Sequence, residues 1–489
     1  MAAAAARARC GKGENGGEAL LAVPSLRHNA ARMIVIKFGG TSVGDANRVA
    51  NAIDIVGERR ERRPIVVVSA LAGVTNALVA ASEAARACNI AEVDRIIKDV
   101  RARHEDVALQ LVQHKADFLE SFLKQLDRQI EQIHTILKGI AMLGEITPRA
   151  KDRVSAIGEK LSSVLFAYSM KMRGLDGEHV DSEEVVITDD RFGEASPIMD
   201  ATRQAAHRTL LPLIERNLIP VMGGFIGRAL TAGATTTLGR GGSDYSAAIV
   251  GAAVGAEEIQ IWTDVDGMMT CDPRLIKSAR VIDRISYVEA AELAWFGAKV
   301  LHPKTIAPAV EQKIPVRVLN THNVSSPGTL VTEEGDLRES GPRAIALKKG
   351  ITVVHMTSSA MLGASGFLAR LFAIFEDLGV SVDLITTSEV SVSVTIDEKQ
   401  SVDALIEGLK KVATVDVRDN QCIIAVVGRN LMAHSEVGAR IFEAMDGVQM
   451  SMFSLGTSGL NLSIVVDDAD ADRAVKSIHH ALFEVPVPA

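Results

Sequence analysis

The 489-residue chain is poor in cysteine, in aromatic residues and in net positive charge. Its four cysteines, Cys10, Cys88, Cys271 and Cys422, lie far apart, with no CxxC pair and no histidine at zinc spacing. That excludes a disulfide framework and a metal knuckle, and it fits a reduced, cytoplasmic protein. A formal net charge of -8 removes any general attraction to nucleic acid, so an anionic ligand has to be held by a few local cations. No apolar run approaches the roughly 18 residues that a membrane span requires. The longest candidate, AAIVGAAVGA at 247–256, is short and rich in small residues, and reads as a helix buried against a sheet. Several motifs that carry chemistry are missing as well. There is no GxxxxGK[ST], HRD with DFG or HExxH. P-loop enzymes, protein kinases and zinc proteases are therefore disfavoured.

What is present is an ordinary globular composition, 47% hydrophobic and 23% charged, over a length that predicts about three domains. Residues 1–32, biased to Ala, Gly and Arg, read as a disordered extension; Glu14, Glu18 and the lack of a Ser-rich amphipathic pattern argue against a transit peptide. Folded patterning starts at Met33. MIVIKFGG (33–40) is a β-branched run ending in glycines, and RRPIVVVSALAG (62–73), LIPVMGGFIG (218–227) and EEIQIWTDVDG (257–267) repeat the form. Apolar strands alternating with helical stretches predict an α/β fold with a mainly parallel sheet covered by helices on both faces. Ligands gather at the carboxyl ends of such strands, where KFGGTS, SALAG, GGF and TDVDG fall.

From about 91 to 145 the pattern is helical, with Phe122, Leu126, Ile130, Ile133, Leu137 and Ile140 at three- and four-residue steps and Lys124, Asp127, Arg128 and Glu131 between them. It reads as a packing helix. The stretch 331–350, containing TEEGDLRESGPRAIALKKG, is polar and punctuated by glycine and proline, as a linker is. Beyond it the chain repeats itself: 366–397 is echoed by 436–468, each with a helix, a turn at Gly379 or Gly447, a strand, a turn and an alternating strand. This predicts paired α+β modules of ferredoxin-like type, at 351–415 and 416–489, after a first domain at 33–330. Part of the second could complete the first.

Lys37, Gly39 and Gly40 follow the first strand directly. Glycines let backbone N–H groups converge on an anion, and an adjacent lysine adds a mobile positive charge. A glycine turn with a solvated lysine is the bland alternative. TTTLGRGGSDYSA (235–247) adds a second glycine loop, with an arginine and an aspartate inside it.

VIKFGGTSVGDANRV, VSALAGVTN, TTTLGRGGSDYSA, WTDVDGMMTCDPR, GAKVLHP and SGFLARLFAIFEDLGVSVDLITTSEVSVSVTID together resemble, in order, the motifs of the monofunctional aspartate kinases of amino-acid-kinase fold, the lysine-sensitive type above all. The resemblance runs from Met33 to the C-terminus. It implies transfer of the ATP γ-phosphoryl group, with Mg²⁺, to the side-chain carboxylate of L-aspartate, the entry step to lysine, threonine and methionine. That carboxylate, with a pKa of about 4, needs no general base, so catalysis rests on alignment and positive charge.

Carried over by motif, Lys37 neutralises the phosphates, with Gly39 and Gly40 approaching them, and Asp244 orients Lys37 or a Mg²⁺-bound water. Ser69 and Thr75 supply substrate-side hydroxyls, Glu159 meets the substrate ammonium, and Arg240 with Ser243 holds its carboxylate. Thr263, Asp264, Met269, Arg274, Lys299 and Val300 border the nucleotide. Met269 stands where the resemblance leads one to expect tyrosine, and packs on adenine without a hydroxyl. For Arg274 a surface position after Pro273 is the alternative, and His302 reads as a helix-start residue.

The repeated C-terminal modules resemble ACT domains, which bind amino acids at dimer interfaces. Met361, Gly366, Phe367, Leu368, Ser381, Val382, Asp383, Thr387, Ser388 and Glu389 fall on effector positions, with Asp383 paired to an effector ammonium. The resemblance implies feedback inhibition by lysine in a homodimer or tetramer, the alternative being that the modules only dimerise the chain. Competing readings are a kinase for glutamate, N-acetylglutamate or a nucleoside monophosphate, and a catalytically dead amino-acid sensor. Glu159, Arg240 and the double tail weigh against the first, and retention of Lys37, Glu159, Arg240 and Asp244 weighs against the second.

Overall fold

The short apolar runs become the middle of a sheet. The computed structural model describes residues 33–111, 116–297, 301–336, 340–397, 402–433, 435–456 and 458–485. Its first part contains strands β1 (Ile34–Phe38), β2 (Pro64–Val68), β3 (Gly177–His179), β4 (Ile187–Thr188), β5 (Ile219–Gly223), β6 (Ile226–Ala229), β7 (Thr235–Thr237), β8 (Glu258–Thr263), β9 (Arg284–Ser286), β10 (Val316–Asn320) and β11 (Thr329–Thr332). Eight of them form one sheet in the order β3-β5-β2-β1-β8-β10-β11-β9, while β4, β6 and β7 form a small second sheet. In the large sheet every pair is parallel except β10 with β11.

Both faces of β1 are buried, and its alternation decides where the chemistry goes. Ile34, Ile36 and Phe38 pack with Val49, Ile53 and Phe166 on one face. Val35 packs with Ile249 and Val250 on the other, the face covered by helix Gly242–Val254. Side chains alternate across a strand, so Lys37 points to the same face as Val35 and meets the start of that helix. Each such buried Val or Ile contributes roughly 1.5–3 kcal/mol, enough to fix the register that delivers Lys37. The 247–256 stretch is helical and buried as far as Val254, as expected.

The helical stretch comprises helices Ile90–Leu111 and Ala116–Leu143. Phe122, Leu126, Ile133, Leu137 and Ile140 are buried there, and Ile130 packs against the same cluster.

The linker expected at 331–350 is not one. Thr332 ends β11, and 341–350 belong to β12 (Gly341–Thr357). β12 pairs antiparallel with β15 (Thr414–Arg429) along nearly their whole lengths, from Gly341 opposite Arg429 to Thr357 opposite Thr414. With β13 (Ile385–Thr387), β14 (Ser391–Ile396), β16 (Met450–Leu455) and β17 (Asn461–Asp467) they build a six-stranded antiparallel sheet in the order β13-β14-β12-β15-β17-β16. The C-terminal half of β12 packs with helices Phe367–Asp377 and Val402–Leu409. The N-terminal half, through Ile345, packs with helices Ser435–Ala444 and Asp468–His479. The second module is therefore discontinuous: it borrows residues 341–348, which precede the first, and a boundary at 415/416 cuts through β15. The opposite face of the same strands, with Ala344, Ala346, Ile423, Ala425 and Val427, joins Leu293 and Phe296 in the core of the first domain.

Candidate active site

At the carboxyl end of β1, Lys37 is buried with its Nζ 2.5 Å from Asp244 Oδ1. Asp244 lies in the first turn of helix Gly242–Val254, where the helix dipole favours an anion. The pair is ionic more than directed, for Asp244 Oδ1 makes no hydrogen bond of acceptable geometry. The helix begins at Gly241, whose φ of 70° suits glycine and whose absent Cβ leaves room for Thr305 at 2.8 Å.

The loop after β1 turns through a short 3-10 segment, Gly40–Val43. Sequence reasoning expects several free N–H groups here, but that of Gly39 is committed to the carbonyl of Trp262 at 3.1 Å. Ser42 is tied across the strand ends to Thr321, hydroxyl to hydroxyl at 3.2 Å. The loop is thus tied to the ends of β8 and β10, with the Gly39 N–H committed and Lys37 at its root.

On the other side of β1, Ser69 follows β2 and gives its N–H to the Phe38 carbonyl. Thr75 sits in the first turn of helix Val74–Arg86, its hydroxyl directed at Glu159 Oε1 over a long 3.5 Å. Glu159, in the first turn of helix Ile157–Met172, is 4% exposed and its Oε2 has no hydrogen-bond partner. Burial pushes its carboxyl up to about 8, against the pull of the Ala70 N–H and the Thr75 hydroxyl. The carboxyl is thus buried with one oxygen unpaired among the described residues.

Two glycines at the end of β5, Gly223 and Gly224, bring the halves together. A Cβ on Gly223 would lie 3.0 Å from the Glu159 carbonyl, and one on Gly224 within 2.6–2.7 Å of Ser243. The next residue, Phe225, holds a positive φ of 68°, donates its N–H to the Ser246 hydroxyl at 2.9 Å and packs over Gly242. In the sequence Phe225 is marked only as an apolar residue after two glycines. Arg240 is exposed and makes no hydrogen bond or ion pair among the described residues, and Ser243 is half-buried beside it.

The expected nucleotide residues are less tightly gathered. Thr263 ends β8 and its hydroxyl donates to the exposed Asp264 at 3.1 Å. Met269 is half-buried and bridges to Val281. Arg274 is exposed and its guanidinium is engaged by Asp272, with contacts of 2.6 to 3.2 Å, the arrangement of a surface ion pair. Lys299 and Val300 lie outside the described residues. His302 caps helix Pro303–Glu311, accepting from the Lys304 N–H, which bears out its reading as a helix-start residue. This side of the site is joined to the C-terminal modules. Thr270 bonds to His479 at 3.0 Å and accepts the Ile345 N–H at 2.8 Å.

In the first module Met361, Phe367 and Val382 pack on one cluster, with Gly366, at φ 76°, opening the helix that starts at Phe367. Leu368 and Ser381 are exposed, and Thr387, Ser388 and Glu389 form the exposed turn leaving β13. Asp383, expected to wait for an effector ammonium, already has one: Lys348 Nζ lies 2.7 Å away.

A mainly parallel α/β sheet that gathers a buried lysine, a buried carboxyl and an exposed arginine near its strand ends is an arrangement suited to a small charged ligand. Comparison with known proteins agrees. The amino acid kinase family matches residues 32–320, and the ACT domain matches 354–407 and 424–482. The chain is 39% identical over 466 residues to chloroplastic aspartokinase 3 of Arabidopsis thaliana, covering 92% of this chain and 81% of that protein. It is 37% identical over 464 residues to the lysine-sensitive aspartokinase 3 of Escherichia coli, covering 93% and 100%. The solved structure of E. coli aspartokinase III with aspartate and ADP superposes with a TM-score of 0.79 at 36% identity, covering 92% of this chain and 100% of that one. The same enzyme with lysine and aspartate gives 0.77, at the same identity and coverage. The chain belongs to the amino acid kinase family, in its aspartokinase branch with C-terminal ACT domains.

Proposed function

We propose that the protein transfers the γ-phosphoryl group of ATP to the side-chain carboxylate of L-aspartate, giving 4-phospho-L-aspartate, and is feedback-inhibited by lysine at its ACT modules. The observation that carries the reading is Glu159, buried, uncharged by burial and open at one oxygen. An amino-acid ammonium supplies the missing charge, and Arg240, unpaired, offers a planar fork to the α-carboxylate. The side-chain carboxylate then faces Lys37. A bond forms between a carboxylate oxygen and the γ-phosphorus as the bond to the bridging oxygen of ADP breaks. The carboxylate has no proton to lose, so Asp244 acts by holding Lys37 in place.

Electrostatic preorganisation dominates such a transfer, and one well-placed cation is worth about 3–4 kcal/mol. Mg²⁺ bound with the nucleotide would spread the phosphate charge, and the Asp244 carboxylate, whose Oδ1 faces Lys37, would accept from a water of that ion through its other oxygen. Gly39, Gly40, Thr263, Asp264 and Met269 line the nucleotide side in this reading, with Ser69, Thr75 and Ser243 on the substrate side. Arg274 joins the nucleotide only by leaving Asp272. The continuity of β12 with the first domain's core and the Thr270–His479 bond support control of the site from the ACT sheet. The edge strands β13 and β16, with exposed Ile385, Met450 and Phe453, support assembly into a homodimer. Free Cys88, Cys271 and Cys422 support a reducing compartment such as the cytoplasm.

Hydroxylamine trapping of the acyl phosphate, with aspartate, glutamate and N-acetylglutamate offered in turn, tests the assignment. Aspartyl hydroxamate is expected; turnover of glutamate with none of aspartate overturns it.

A further inference from the structure

Asp152 lies in helix Pro148–Ser155, immediately before the helix that carries Glu159, and is 2% exposed. Its carboxylate makes three hydrogen bonds. Oδ2 accepts from the backbone N–H of Gly193 at 2.9 Å and of Thr237 at 2.9 Å, and Oδ1 accepts from the Thr237 hydroxyl at 2.8 Å. Thr237 ends β7, three residues before Arg240. Its carbonyl receives the Ala195 N–H at 2.9 Å, so the 193–195 turn is fastened to the same point. That turn also sets the next bend. Gly239, at φ 75°, packs against Glu194, whose Cγ would lie 3.2 Å from a Cβ at that position. A buried carboxylate is costly unless its lone pairs are filled, and here they are filled by one strand end and one loop.

We propose that Asp152 is a positioning residue that sets the separation between the ammonium-binding and carboxylate-binding ends of the amino-acid site. It joins the helix leading to Glu159 to the strand leading to Arg240, and touches neither substrate. The inference rests on the reading of Glu159 and Arg240 as the two ends of that site. Among the described residues Asp152's hydrogen-bond partners are Gly193 and Thr237, neither of them on the nucleotide side, so its loss is expected to act chiefly on the amino-acid substrate. This is what separates positioning from general stability.

The test is steady-state kinetics of Asp152→Ala, Asp152→Asn, Thr237→Val and Arg240→Ala in the full-length enzyme, varying aspartate and MgATP separately. Asp152→Ala is expected to raise the KM for aspartate about tenfold or more with the KM for ATP within about twofold. Asp152→Asn keeps an oxygen for the two backbone N–H groups and is expected to stay within about threefold of wild type. Thr237→Val removes the hydroxyl arm alone; an aspartate KM raised about threefold at constant ATP KM is expected, a measurement that stands even if Asp152→Ala does not fold. Equal rises in both KM values, failure of the asparagine to rescue, or an unchanged aspartate KM in Thr237→Val overturns the positioning role. If Arg240→Ala leaves the aspartate KM unchanged, the underlying assignment of the site fails instead.

Discussion

Lys348 places its ammonium 2.7 Å from the Asp383 carboxylate, inside the segment where an effector's ammonium is expected. The same ammonium lies 3.0 Å from Asp397 and 5.9 Å from the ring of Trp295, which belongs to helix Tyr287–Trp295 of the first domain. One side chain thus spans the effector segment and the catalytic domain. A free amino acid that pairs with Asp383 has to displace Lys348, and with it the contact to Trp295.

Lys348→Met removes this internal competitor and leaves Asp383 buried without its partner. Half-maximal inhibition by lysine is expected at a roughly three- to tenfold lower concentration, and Asp383→Asn is expected to blunt inhibition. Inhibition curves that are unchanged in both variants contradict the role of this pair. Inhibition of the wild type by threonine alone removes the lysine assignment.

The Lys37–Asp244 pair makes a second prediction. Lys37→Ala is expected to lose kcat by about a thousandfold, since among the described residues no other lysine or arginine is buried at these strand ends. Asp244→Asn loosens Lys37 and lowers kcat by about ten- to a hundredfold, leaving the shape of the pH–rate profile intact. Disappearance of the acidic limb in Asp244→Asn means that Asp244 acts as a base.

Glu159 carries a pH dependence in two observables. Folded, its carboxyl titrates near 8; unfolded, near 4.5, so between those values the native state binds the extra proton. Stability therefore falls as pH rises from about 5 to about 8, and Glu159→Gln, which cannot ionise, removes that fall, by roughly 1–3 kcal/mol. Substrate binding runs the other way, because an ammonium prefers the ionised carboxylate. The KM for aspartate is expected to drop as pH rises from 6 to 8 in wild type and stay flat in Glu159→Gln. Urea unfolding at the two ends of that range, with aspartate titrations, checks both signs.

Much of this was legible before any coordinates. Strands buried on both faces leave apolar runs such as IVIKF and PIVVV, and the glycines beyond them mark where ligands approach. Lys37 and Asp244 were visible as neighbours of those glycines. The stretch 341–350 looks like a linker because its apolar residues are few on each face, Ala344 and Ala346 on one and Ile345 and Leu347 on the other, while Lys348 and Lys349 look solvated and in fact bind Asp383 and Asp472. Asp152 was invisible for a different reason: its partners Gly193 and Thr237 are 41 and 85 residues away, beyond any local pattern. Arg274 looked like a nucleotide ligand by motif, yet the nearest anion, Asp272, holds it.

The central claim is that Glu159 selects an amino acid by meeting its ammonium. The most direct measurement compares kcat/KM for aspartate with that for succinate, which lacks only the amino group, in wild type and in Glu159→Gln at pH 8. Wild type is expected to favour aspartate by about a hundredfold or more, and Glu159→Gln to bring the ratio close to one. A Glu159→Gln enzyme that keeps the wild-type ratio contradicts the account.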